Sequence, residues 1–289
     1  MTTLNDQDLD SMADFLLGRA NKVKRIEPPI DLFELAKIQR VTAVDLRPML
    51  PTGGLSRRSS GFWICIQDLR RTQPIEVAVG SPVEDRPRLT TRQRFTMAHE
   101  LAHTLLFDTS DPPQPRAGCP KGAKLEALCH RAARRILMPP ALVTAEVAKR
   151  EKLGARDILD LARLFDVSPE IALWRCDELS AVRDSDRVVL YVRKSFSGAD
   201  EIAGFFCSSW FQDRKGRPEL GMPPAKWLSG LVDESFWSDP KATSMFSDVK
   251  EEIGITRVPF AKTAHFIELE LRRPDDSSRA SDRVNGDPV

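Results

Sequence analysis

Two histidines four residues apart in one helical segment constrain this chain more than any other sequence feature. The residues HELAH, at positions 99–103, lie in a segment that is predicted to be helical from about residue 91 to residue 107. Residues four apart on an α-helix lie one turn above each other, so both imidazoles can reach a single ion at ~2.0–2.1 Å. The pattern predicts a zinc centre with His99 and His103 as ligands and Glu100 as a catalytic base. The alternative is an ordinary amphipathic helix whose histidines happen to be one turn apart.

A catalytic zinc ion needs a third protein ligand, and the next predicted helix offers one. Glu126 lies 23 positions after His103, across a loop long enough to turn a second helix back over the first. The alternative for Glu126 is a solvated residue in a first helical turn, which the helix dipole favours. His130, one turn later, is expected to support a ligand or to lie on the surface, and His265 is expected to be a packed or surface histidine.

Apolar patterns on both sides of this centre predict an α+β fold. A helix should begin near Ile30, and a small sheet should precede the main helix, with Gly53-Gly54 as a turn between its strands. The Pro-rich residues 108–122 are expected to form a loop, followed by a helix that ends at Pro139-Pro140. The strongest strand patterns lie at 41–46, 61–66, 75–79, 188–192, 202–207 and 266–271.

These patterns divide the chain into five segments. We expect an acidic N-terminal leader at 1–27, a peptidase-like domain at 28–140 and a helical segment at 141–183. A β-rich C-terminal α+β domain is expected at 187–273. The tail at 274–289 is polar, lacks an apolar pattern and is expected to be disordered.

Composition excludes several classes of protein. The 43 basic and 42 acidic residues leave a net charge of +1, so no overall positive field favours nucleic acid or an anionic membrane. No apolar run is long enough to span a bilayer, and the acidic start is unlike a secretory signal. The five cysteines are an odd number without a CxxC pair, which favours a reducing cytoplasm, where they serve as small buried side chains.

Several of these residues together resemble the ImmA/IrrE metallopeptidases, a zincin-like family. The resemblance rests on RQRFTMAHELAH, on Glu126 at the start of a helix ending in Ile-Leu-Met-Pro, and on the helix that follows Pro29, and it covers about residues 28–180. It implies a zincin-like domain that binds zinc through His99, His103 and Glu126, with Glu100 as the catalytic residue. It also implies a protein substrate, a helix-turn-helix repressor of stress or mobile-element genes. His130 and Ala132 stand where the family usually has Asn and an aromatic residue.

Residues 158–179 resemble a helix-turn-helix. Across 155–183, four basic residues stand against six acidic ones, a net charge of −2 that is poor for attracting phosphates. We therefore expect protein docking or structural support here rather than direct DNA binding, with Trp174 as a core anchor or an exposed docking residue. The alternative function for the whole chain is a DNA- or protein-binding regulator that retains a metal site without turnover.

Overall fold

The computed structural model describes residues 6–48, 52–108, 110–150, 153–179, 187–207, 219–224, 253–261 and 263–271. The chain divides into two compact units, Met1–Glu146 with Leu161–Ile171, and Val147–Asp160 with Ala172–Val289. Helices and two four-stranded sheets occur together, so the predicted α+β class is confirmed. The predicted disordered tail at 274–289 lies outside the described residues.

Five of the described α-helices lie wholly or largely in the first unit. They are α1 (Asp6–Val23), α2 (Leu32–Ile38), α3 (Thr91–Thr104), α4 (Ala123–Leu137) and α5 (Pro140–Val147). The predicted leader is thus largely helical, because the buried side chains of Leu9, Ala13, Leu16 and Leu17 form one apolar stripe. This stripe lets α1 pack against α2 and α4.

Ion pairs reinforce the packing of α1 on α4. Arg131 donates to Asp10 at 2.8 Å, and Arg135 Nε donates to Asp14 at 2.6 Å. Two of the acidic residues that make the N-terminal segment resemble a solvated leader, Asp10 and Asp14, therefore have basic partners on α4.

The first sheet has the strand order β2-β3-β1-β4. Its strands are β1 (Val41–Arg47), β2 (Gly53–Arg58), β3 (Gly61–Gln67) and β4 (Ile75–Ala78). Strand β1 runs parallel to β3, and the other two pairs are antiparallel. The prediction that Gly53-Gly54 forms a turn is wrong, because both residues pair with β3, Gly53 opposite Ile66.

Three contacts fix helix α3 in this unit. Thr90 and Gln93 form a reciprocal capping box at its start, and Gln93 Nε2 also donates to the backbone oxygen of Gln67 at 3.3 Å. Arg94 Nε donates to the backbone oxygen of Asp166 at 3.0 Å, and its Nη2 to that of Ile30 at 2.9 Å. The position of α3 is therefore set from three directions in the first unit.

Helix α3 ends at Thr104, three residues before the predicted end near Phe107. The chain turns there because Leu105 caps the helix with its N–H directed to the oxygens of Ala102 and His103. Phe107 then forms a bridge with Pro115, and its ring meets that of Phe62 edge-on at 5.2 Å. Phe107 therefore pairs with the following loop and is not part of the helix.

Helices α6 (Ala155–Phe165) and α7 (Pro169–Glu178) flank a short turn. Asp166 adopts a φ of 52° in that turn, and Val167 N–H donates to the oxygen of Ala162 at 2.9 Å. None of the described helices is both long and apolar enough to cross a membrane.

The second sheet is antiparallel throughout, with the order β6-β5-β8-β7. Its strands are β5 (Arg187–Lys194), β6 (Asp200–Cys207), β7 (Ile253–Ala261) and β8 (Ala264–Leu271), of which β7 is absent from the sequence prediction. Trp174 is half-buried on α7, with its ring 6.1 Å from that of Phe205, as expected for an anchor. His265 is half-buried in β8.

Candidate metal centre

Helices α3 and α4 bring His99, His103 and Glu126 together. The Nε2 atoms of the two histidines are 3.1 Å apart, and Glu126 Oε2 lies 3.1 Å from His99 Nε2 and 3.6 Å from His103 Nε2. Ligand atoms at ~2.0–2.1 Å from a tetrahedral ion should lie roughly 3.3 Å from one another. The spacing of the three atoms therefore fits three of the four ligand positions around a zinc-sized ion. The fourth position is left for water or substrate.

The two imidazoles are suited to bind a cation because they are neutral. Burial lowers the pKa of His99 to about 4, with further lowering by His103 and His130. Burial is also the main cause of the lowered pKa of His103. A neutral imidazole offers one nitrogen lone pair, which is the form that a metal ion requires.

The sequence dictates this meeting through apolar residues on the two helices. Ala98, Leu101 and Ala102 are fully buried on α3, and this fixes the rotation of the helix about its axis. On α4 the buried residues are Leu128, Cys129, Ala132, Ala133, Ile136 and Leu137. Glu126 precedes them in the first turn, where it is about half exposed at 52%. Each helix thus buries one stripe and turns its ligands towards the other helix.

Glu100 lies beside the cluster on α3 and is 7% exposed. Burial, and then the charge of Glu126, raise the pKa of its carboxyl group to about 7. A carboxyl group with a pKa near neutral can both accept and return a proton at physiological pH. Strand β2 closes this side of the site, since Gly53 passes directly over Thr96 and Glu100.

Two further residues on α4 complete the surroundings. The ring of His130 lies 4.6 Å from that of His99 and 5.5 Å from that of Phe95, at the exposed edge of the site. Cys129 is fully buried, and its Sγ lies 3.5 Å from Nδ1 of His103. Burial raises the pKa of the Cys129 thiol to about 12, so it remains protonated. The cysteine count alone does not distinguish Cys129, although its spacing of three residues after Glu126 places it near the same helix face.

Within the described ranges, His99, His103 and Glu126 are the only three residues whose ligand atoms cluster closely enough for a metal ion, all within 4.8 Å. His130 stands next to this cluster without being part of it. His265 is in strand β8, where burial lowers its pKa to about 4, followed by the charge of Arg257.

Known proteins match the segment that carries this site. Residues 88–177 match the family described as IrrE N-terminal-like domain, Peptidase_M78. The "Radiation response metalloprotease IrrE" of Deinococcus radiodurans is 36% identical over 95 residues, which are 32% of this chain and 29% of that protein. The protein of the same name from Deinococcus deserti is 36% identical over 94 residues, 31% of this chain and 33% of that protein.

The matched part spans about a third of the length of these curated relatives. A solved structure of a Mycobacterium tuberculosis transcriptional regulator has a TM-score of 0.44 and 16% identity, over 91% of this chain and 75% of that one. The expected resemblance to ImmA/IrrE metallopeptidases over residues 28–180 is confirmed for residues 88–177 by the family model and by the two Deinococcus proteins.

Proposed function

We propose that this chain is a zinc-dependent endopeptidase with a zincin-like catalytic domain, a proposal supported by the match of residues 88–177 to the IrrE N-terminal-like domain. The observation that carries the proposal is the cluster of His99, His103 and Glu126 beside a buried Glu100. The donor set of two imidazoles and one carboxylate is the type found in zinc peptidases. A site that only stabilised the fold would not need Glu100.

In this mechanism the two histidines and Glu126 hold the zinc ion. When bound, the ion supplies the positive charge that activates a water molecule and polarises the scissile carbonyl group. Glu100 accepts the proton of the attacking water and returns it to the nitrogen of the leaving amine. Burial raises the pKa of this carboxyl group towards neutrality, which suits a residue that takes up and releases a proton.

The proposed substrate is a protein, a helix-turn-helix repressor of stress or mobile-element genes, cleaved in the cytoplasm. The name of the two Deinococcus relatives, radiation response metalloprotease, supports a stress-related role. The net charge of −2 over residues 155–183 supports recognition of protein rather than DNA.

The decisive experiment compares the parent protein with Glu100→Gln. The amide cannot accept a proton from water, so this variant should keep its zinc and its fold but lose cleavage. A candidate repressor is incubated with each protein, and mass spectrometry identifies the fragments. Cleavage by the parent that stops on chelation and is absent in the variant supports the proposal.

Two results would contradict it. Equal cleavage by Glu100→Gln would remove Glu100 from the mechanism. Tight, salt-sensitive binding of duplex DNA by the parent, with neither binding nor cleavage of the repressor, would favour a regulator that retains a metal site.

A further inference from the structure

The two histidines of the cluster differ in what their second ring nitrogen meets. Nδ1 of His103 lies 3.5 Å from Sγ of Cys129. Nδ1 of His99 is buried and has no hydrogen-bond partner among the described residues. One ring is therefore held by a neighbour on α4, while the other is held by packing.

The orientation of the His103 ring determines which of its nitrogens faces the cluster and which faces Cys129. Its Nε2 faces Nε2 of His99 at 3.1 Å and Oε2 of Glu126 at 3.6 Å. Nδ1 is on the other side of the ring, so the sulfur of Cys129 lies away from the ligand atoms. The thiol cannot reach an ion in the cluster while the imidazole stands between them.

A hydrogen bond at Nδ1 selects the form of the ring that binds metal. If Nδ1 carries the proton and donates it to sulfur, the lone pair of His103 is on Nε2 and points at the cluster. Partners of this kind fix both the tautomer and the orientation of metal-binding histidines. Cys129 is fully buried, so solvent does not replace it in this role.

We propose that Cys129 is the positioning residue of His103, accepting the Nδ1 proton and holding Nε2 towards the ion. The inference rests on the metal site of the proposed function. Under this proposal, one turn of α4 contributes both a metal ligand and a positioning residue. Glu126 is the ligand, and Cys129, three residues later, orients His103.

Three substitutions separate positioning from packing. Cys129→Ala removes the acceptor and leaves space, Cys129→Val removes the acceptor and fills the space, and Cys129→Ser keeps a polar acceptor of similar size. Zinc affinity is measured at one pH by competition with a chelator of known affinity. We expect Ala and Val to weaken zinc binding alike, by roughly tenfold to a hundredfold, and Ser to retain most of the parent affinity.

Cys176→Ala is the matched control, because Cys176 is also fully buried but lies on α7 and is not part of the cluster. It should bind zinc as the parent does. Thermal unfolding of the metal-free proteins, followed by circular dichroism, shows which variants fold. If Cys129→Ala does not fold, the comparison of Val with Ser decides the question by itself.

Parent-like zinc affinity in Cys129→Val would overturn the inference, as would a Ser variant as weak as Val. These outcomes leave the proposed peptidase untouched, since the parent would still bind zinc and cleave. A parent protein that does not bind zinc at all would instead reject the proposed function, and the positioning role with it.

Discussion

Glu100 Oε1 lies 2.9 Å from the point that a Cβ on Gly53 would occupy. The same Cβ would lie 2.4 Å from Cγ2 of Thr96. Contacts this short force a neighbour to move, so the absence of a side chain at Gly53 lets strand β2 cover Glu100. The geometry of the site therefore depends on a strand residue that makes no side-chain contact of its own.

Gly53→Ala should strongly reduce proteolysis, because the new methyl group displaces either β2 or the side chain of Glu100. Overpacking of this kind also typically costs about 1–3 kcal/mol in the free energy of unfolding. Gly54→Ala is the control, since its Cβ would meet nothing within 4 Å. Peptide cleavage and urea unfolding are measured for both variants. Equal activity in the two would show that β2 can move without consequence.

Glu126→Ala should bind zinc much more weakly than the parent, since one of three protein ligands is lost. Zinc content after dialysis, measured by atomic emission, tests this directly. Glu84→Ala removes a carboxylate outside the cluster and should retain the metal. Full zinc content in Glu126→Ala would exclude Glu126 as a ligand.

Arg94→Ala should lower the free energy of unfolding by about 1–3 kcal/mol, because it leaves two backbone oxygens without their donor. These are the oxygens of Asp166 and Ile30, which Arg94 reaches from α3. Arg92→Ala, at an exposed position two residues earlier, should unfold like the parent. Chemical denaturation distinguishes the two. Equal losses in both variants would mean that the hydrogen bonds of Arg94 do not matter for stability.

His265 should make the protein less stable in mild acid. Its folded pKa of about 4 lies below the value of about 6.5 that it regains on unfolding. The unfolded chain therefore binds more protons, and stability falls as the pH drops from about 6.5 towards 4. Burial causes this shift first, Arg257 and Lys194 add to it, and Asp200 opposes it.

His265→Gln removes this titration, so its stability should fall less than that of the parent between pH 7.5 and pH 5. Urea unfolding at the two pH values gives the comparison. A loss of stability that is the same with and without His265 would place the acid sensitivity at other groups.

The candidate ligands could be predicted because their information is local. His99, Glu100 and His103 lie within five residues of one helix, and helical geometry alone decides which side chains share a face. Glu126 could be predicted as a ligand because it lies in the first turn of the next helix, although the sequence alone leaves a solvated carboxylate as an alternative. The distances of 3.1 and 3.6 Å to the histidines favour the ligand interpretation.

The parts that sequence patterns missed depend on contacts between distant segments. Gly53 was interpreted as a turn residue because two adjacent glycines usually mark one, whereas its role comes from the close approach of α3. The spacing of three residues from Glu126 indicates which face of α4 carries Cys129, but the contact of its Sγ with the ring of His103 depends on how α3 and α4 pack. Sequence patterns do not predict β7, because its extended conformation depends on pairing with β8.

The ion pairs between α1 and α4 should link the proposed metal binding thermodynamically to the docking of the N-terminal helix. Zinc would join α3 to the first turn of α4, while Asp10 and Asp14 hold Arg131 and Arg135 further along the same helix. An interaction that orders α4 at one of these contacts reduces the conformational entropy that is lost when the other contact forms. Protease resistance of residues 6–23 should therefore rise when zinc is added, although none of these residues touches the metal.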